Sequence, residues 1–181
     1  LTVSTGAGAG DISFSNSIDG NQALSLSAGT GAITLSGALG QGTRLGAVTL
    51  NSSSATTVSQ SVRAQSLITN AGGTLALNGA SVDTTQGQTY GEAITLGANT
   101  SLTGSTIRTQ STLAGGGRSL TITGDADIDG NYTGLSSLSI SGATDLGSDV
   151  TTTGTQTYSG AVNLSGGNRT LTGSVVRTQS T

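Results

Sequence analysis

Three carboxylates at alternate positions, Asp125, Asp127 and Asp129, followed by Gly130, form the densest titratable cluster in the sequence. The spelling D-x-D-x-D-G is that of a calcium-loop opening, in which carboxylates converge on a hard cation and glycine permits a sharp turn. The twelfth position of such a loop falls on Ser136, where a bidentate Glu is needed, and no helical periodicity flanks it. The competing reading is a β-strand with Ala126 and Ile128 inward and the three Asp in solvent. Calcium is the one cofactor these residues suggest. The same trio is the one constellation that could serve catalysis, but glycoside cleavage needs a second carboxylate placed across a sugar cleft. No second cluster stands in the sequence to supply it, and the expectation is a chain that is not an enzyme.

Arg63, Arg108 and Arg177 each stand in a recurring Arg-x-Gln-Ser context. Placed on one side of a rod they could contact an acidic glycan; the plainer alternative is solvated edge residues paired with Gln or Asp. Tyr90 and Tyr158 recur in the same way and read as local packing rather than as a sugar platform. Gly115-Gly116-Gly117 lacks the Lys and following helix of a phosphate cradle. Sequons at Asn51, Asn99, Asn131 and Asn168 are about what a Ser/Thr-rich chain produces by chance.

Composition removes most other chemistry. The 181 residues contain no Cys, His, Met, Trp, Pro or Lys, so there is no thiol, no imidazole base and no common zinc or haem ligand. All six basic residues are Arg, the net charge is −3, and there is no basic run, so nucleic acid is not an expected partner. No apolar stretch reaches the 18 or so residues of a membrane span, no signal peptide is visible, and membrane insertion is not expected. The chain opens on Leu1, which reads as a processed product or a segment of a longer protein.

The elements that must position these residues are short strands. Ser, Thr and Gly make up almost half the chain, at 27, 32 and 30 residues, and apolar content is only 33%. Disorder is nonetheless the wrong reading, because β-branched residues are plentiful and charge is scarce. Ala23–Ser27, Ala32–Ser36, Thr74–Asn78, Ser119–Thr123 and Ser137–Ser141 each place an aliphatic on every second residue, and Gly or Asn follows nearly every burst.

Longer similarity overlies this alternation. The block 88–112 returns at 156–181 with an offset of 68 to 69, and a weaker copy at 47–66 precedes it by about 46. Both spacings are near multiples of 22 to 23, which suggests solenoid turns of that length, with the copies two and three turns apart. An offset of 18 between Ser119–Gly124 and Ser137–Gly142 shows that turn length varies, and Asp145 to Asp149 reads as a local insertion. The prediction is an all-β chain forming one right-handed parallel β-helix (β-solenoid), residues 1–181, with about 8–10 turns of roughly 18–23 residues. A thin core suffices there, because each turn fills only a narrow interior and backbone hydrogen bonds run from turn to turn.

Ala-Ile-Thr-Leu at 93–96, Thr153 to Val162 and Gly10 to Phe14 resemble the repeat regions of filamentous haemagglutinin-like giant bacterial exoproteins. The likeness covers nearly the whole chain. It implies the shaft of a secreted or surface-tethered adhesin, exported by a two-partner or autotransporter route, which holds a functional tip away from the cell. The function expected is thus a non-catalytic structural shaft, extracellular or on the bacterial surface. Its expected partners are neighbouring turns or copies of itself end to end, because a bare solenoid end leaves strand edges unpaired. Host or matrix glycans are the further candidates. The alternatives are a carbohydrate- or calcium-binding module and, from the Thr-rich strands, an ice-binding surface.

Overall fold

The computed structural model describes residues 1–179; Ser180 and Thr181, the last two residues of the third repeat copy, lie outside the described residues. The chain is all-β, a β-solenoid of about nine turns, and all its strand pairs are parallel. Each coil contributes three segments, which stack into three columns. Column I begins with Thr2–Ser4 and ends with Val162–Leu164, and column II runs from Ile12–Phe14 to Leu171–Thr172. Column III starts as single bridges at Ile18 and Leu39 and ends at Val175–Thr178. Columns I and III form one 13-stranded sheet because several strands cross the corner between them, among them Thr100–Thr109 and Ser119–Ile128. Column II is a separate 9-stranded sheet.

The alternation written in the sequence is what builds this. In Leu24–Gly29, Thr74–Leu77 and Ser137–Ile140 the aliphatics face the interior and the hydroxyls face out. The buried aliphatics of successive coils lie on one another in register, as in Leu102, Ile122 and Ile140. A fully buried Leu or Ile contributes roughly 1.5–3 kcal/mol, so one or two per segment stabilise a coil that has few apolar residues.

Turn length varies from coil to coil. Thr2 pairs with Ser25 and Ser25 with Thr49, steps of 23 and 24 residues, while Ala126 pairs with Thr144 and Thr144 with Val162, steps of 18. Two expectations change as a result. Asp145 to Asp149 is not an insertion, because it lies within one of the regular 18-residue turns. Nor are the repeat copies whole turns apart. Gln88–Tyr90 stands in column I and Gln156–Tyr158 in column III, almost four coils on, so that step is three and two-thirds coils. Val48–Leu50 is in column I and Ala93–Leu96 in column II, two and one-third coils on. The recurring sequence is a strand-and-corner unit used on different columns.

What that unit encodes is a polar device inside the rod. Gln88 Nε2 donates to Val82 O at 3.1 Å and to Thr103 O of the next coil at 2.8 Å, and Tyr90 Oη donates to Gln88 Oε1 at 2.7 Å. Gln156 Nε2 does the same toward Val150 O and Thr172 O, at 3.1 and 2.8 Å, with Tyr158 Oη on its Oε1 at 2.9 Å. The glycine of the recurring Leu-Thr-Gly-Ser closes over this device. A Cβ on Gly104 would lie 2.6 Å from Gln86 O and 2.7 Å from Thr84 Oγ1, and one on Gly173 would lie 2.8 Å from both Gly154 O and Thr152 Oγ1.

Candidate functional site

Asp125, Asp127 and Asp129 follow one another along Ser119–Ile128 and its exit, on the outer face, while Ala126 and Ile128 are buried. They do not converge. Asp125 Oδ1 accepts the Ala143 backbone N–H of the next coil at 2.8 Å. Asp127 and Asp129 pair with Arg108 of the preceding coil, at 3.2 Å to Nε and 2.9 Å to Nη2. Among the described residues no group of three or more acidic side chains is arranged to hold a metal ion. The geometry follows from the strand itself, since alternate positions sit about 6.6 Å apart along a straight backbone, whereas a calcium loop must curl to bring its ligands together.

Asp125's role is general along the rod. Asp11, Asp19 and Asp149 likewise accept backbone N–H groups one coil on, from Ala32, Gly42 and Thr170, each at 2.8 Å. Asn99 and Asn131 do so for Ser119 and Asp149 at 3.1 Å. Corners interrupt the ladder of the sheet, and a short side-chain carbonyl or carboxylate satisfies the N–H left there.

The three arginines are not on one side. Arg63 and Arg177 belong to column III and Arg108 to column I. Even within column III they occupy different rows, because Arg63 stacks on Asp83 and Thr103 whereas Arg177 stacks on Thr157 and Ser139. Arg63 and Arg44 share Asp83, at 3.5 and 2.6 Å. The hydrogen bond to Asp129, reinforced by the Asp127 charge, holds the Arg108 guanidinium still more firmly protonated. Partial burial raises the Asp127 pKa, as do the neighbouring Asp129 and Asp145 charges, against the opposing pull of Arg108.

Register adds residues that the linear sequence left apart. Arg108, Asp127, Asp145 and Asn163 stack directly on one another in column I. Beside them Asp125, Ala143 and Ala161 form a lower row, and the two rows bound an open groove of about 310 Å³. Asn163 Nδ2 donates to Asp145 Oδ1 at 3.3 Å. The signal for Asp145 was present in the 18-residue offset, which carries Asp127 onto Asp145.

Two further features bear on function. All three Tyr are buried, which removes Tyr90 and Tyr158 as an exposed platform, and burial pushes their phenols up. Tyr132 Oη shares a 2.9 Å hydrogen bond with Thr109 Oγ1. Glu92, the only Glu, was missed in the sequence: it is 1% exposed, neither carboxylate oxygen has a partner among the described residues, and burial pushes its pKa up to about 7. It continues the inward alternation of Gln88 and Tyr90 into Ile94, the pattern that could have marked it. On column II the outward positions stack as Thr34, Thr57, Ala76, Thr95, Ala114 and Thr133, a hydroxyl row broken twice by Ala.

No protein-family model, no curated protein and no solved structure matches this chain.

Proposed function

We propose that the chain is a non-catalytic structural rod, a shaft segment of a secreted or surface-tethered bacterial adhesin or extracellular filament. The observation that carries this reading is the unbroken stacking of three columns over about nine coils, with a filled interior. The ionisable side chains support it. Asp11, Asp19, Asp125 and Asp149 hold corners, and Asp83, Asp127 and Asp129 hold arginines of neighbouring coils. Chemistry of that kind makes a rod stiff and leaves reach and display as its output. The resemblance of its strands to filamentous haemagglutinin-like repeats gives the cell-surface context.

Nine coils at about 4.8 Å make a rod of about 43 Å. Small-angle scattering on the purified chain tests this directly: a particle of that length with a narrow, constant cross-section is expected, and a compact globule would overturn the reading.

The groove beside Asp127 and Asp145 favours one second reading, a carbohydrate-binding module. A glycan array followed by calorimetric titration of any hit decides it. Saturable binding that disappears in Asp127→Ala and Asp145→Ala would replace a passive shaft with a binding one.

A further inference from the structure

Five buried side-chain oxygens find no hydrogen-bond partner among the described residues, and four of them belong to Thr56, Thr69 and Glu92. These three residues stand on successive coils at one corner of the rod, where column I passes into column II. Interior polar atoms are ordinarily paired, so a group of orphans in one place marks a site where something else supplies the partner.

Register shows what surrounds them. Ala55 pairs with Thr74 and Thr74 with Ala93, so the residues just before them, Ser54, Gly73 and Glu92, are stacked in a row. The row continues as Gly31 below and Ser111 and Gly130 above, which makes Glu92 the one long side chain in a stretch of Gly and Ser. Thr69 lies directly beneath Tyr90, two residues before Glu92, so Thr69 and Glu92 face the same interior corner. Gly73, beneath Glu92, leaves main-chain oxygens uncovered there: a Cβ on it would press on Ser54 O and lie 2.8 Å from Ser52 O.

The donor set of this corner is therefore all oxygen, with one carboxylate, two hydroxyls and two carbonyls. Arginines of the neighbouring coils do not reach it, because Arg63 faces out to Asp83 and Arg108 to Asp127 and Asp129. Buried charges in proteins are paired or coordinate a metal. Hard oxygen ligands suit alkali and alkaline-earth cations, and calcium sites collect several carboxylates where this one has a single negative charge.

We infer that the corner beneath Glu92 binds a monovalent alkali cation, held by the Glu92 carboxylate, the Thr69 hydroxyl and the carbonyls of Ser52 and Ser54, with Thr56 Oγ1 on the coil below. The ion ties three coils together from inside the rod. Without it the same carboxylate has only a proton to neutralise it.

Urea denaturation at pH 8 in sodium chloride and in tetramethylammonium chloride of equal ionic strength tests this, because the organic cation is too large to enter. The folding constant of the parent should rise with sodium, by up to tenfold for each tenfold increase in its concentration, and should not rise with tetramethylammonium. Glu92→Gln keeps the shape and removes the charge, and should abolish the sodium response; Thr69→Val should weaken it with an unchanged circular dichroism spectrum. Anomalous scattering from parent crystals soaked in rubidium chloride should place an ion in contact with Glu92 and Thr69, a result that depends on neither variant folding. Equal stability of the parent in the two salts, a sodium response that Glu92→Gln retains, or a corner that holds only water in the rubidium-soaked crystals, overturns the inference.

Discussion

Polar side chains inside this rod come in two kinds, and the difference is a matter of partners. Gln88 and Gln156 are fully buried yet make hydrogen bonds at both ends of the amide, so each ties a strand to the next coil. Glu92 is equally buried and, among the described residues, has no partner on either oxygen. A buried carboxylate without a partner is tolerated only when neutral, which is why its pKa rises from 4.5 to about 7. The direction of the pH dependence follows. Below about pH 4.5 the group is protonated in folded and unfolded chains alike; between 4.5 and 7 the unfolded chain ionises first, so stability falls as pH rises. The loss between pH 5 and pH 8 is about 2–3 kcal/mol, and with no His in the sequence no other side chain of ordinary pKa titrates there. Glu92→Gln should remove that slope: urea midpoints that differ between pH 5 and pH 8 in the parent should converge in the variant. A slope that persists in Glu92→Gln would show that the proton is taken up elsewhere.

At the scale of the element, the corner is where this fold is most specific. The strand Thr100–Thr109 turns from column III into column I at Gly104 and Ser105, and its register with Ser119–Ile128 shifts there. A methyl group on Gly104 would press on Gln86 O and Thr84 Oγ1, both fixed by the Gln88 network. Gly104→Ala should cost about 1–3 kcal/mol in chemical denaturation. Gly173→Ala would meet the equivalent atoms, Gly154 O and Thr152 Oγ1, and should lose stability by the same mechanism. Unchanged stability in Gly104→Ala would mean that the corner has room for a side chain. The same corner explains what the sequence could disclose. Alternating bursts such as Ser137–Ser141 announced their strands, because inward and outward residues differ in type. The column to which a burst belongs was hidden, because all three columns use the same aliphatic-x-aliphatic pattern followed by glycine. Similarity between 88–112 and 156–179 therefore identified a repeated corner and could not identify its azimuth, so Arg108 and Arg177 landed on different columns. The Asp125–Asp129 spelling misled for a related reason: three carboxylates at alternate positions describe a calcium loop only if the backbone curls, and here it is extended.

For the whole molecule, length is the variable that stacking leaves free. Contacts run from each coil to its neighbours, so a complete turn should be removable while every interior column stays continuous. Residues 121–138 are such a turn, because Leu120 pairs with Leu138, Ala126 with Thr144 and Tyr132 with Val150, each at a step of 18. Deleting them joins Leu120 to Ser139 and brings Ile140 into the place of Ile122, an aliphatic for an identical aliphatic. Arg108 loses Asp127 and Asp129 but gains Asp145 in register, so its charge stays opposed. The shortened chain should fold cooperatively into a rod about 5 Å shorter, seen as a reduced maximum dimension in small-angle scattering with the cross-section unchanged. Deleting only 121–129 should behave quite differently, since it joins a column III strand to a column I exit and leaves half a turn to span the interior. That chain is expected to lose cooperative unfolding. If both deletions fold equally well, the columns are not what specifies this rod; if neither folds, the coils depend on contacts beyond their immediate neighbours.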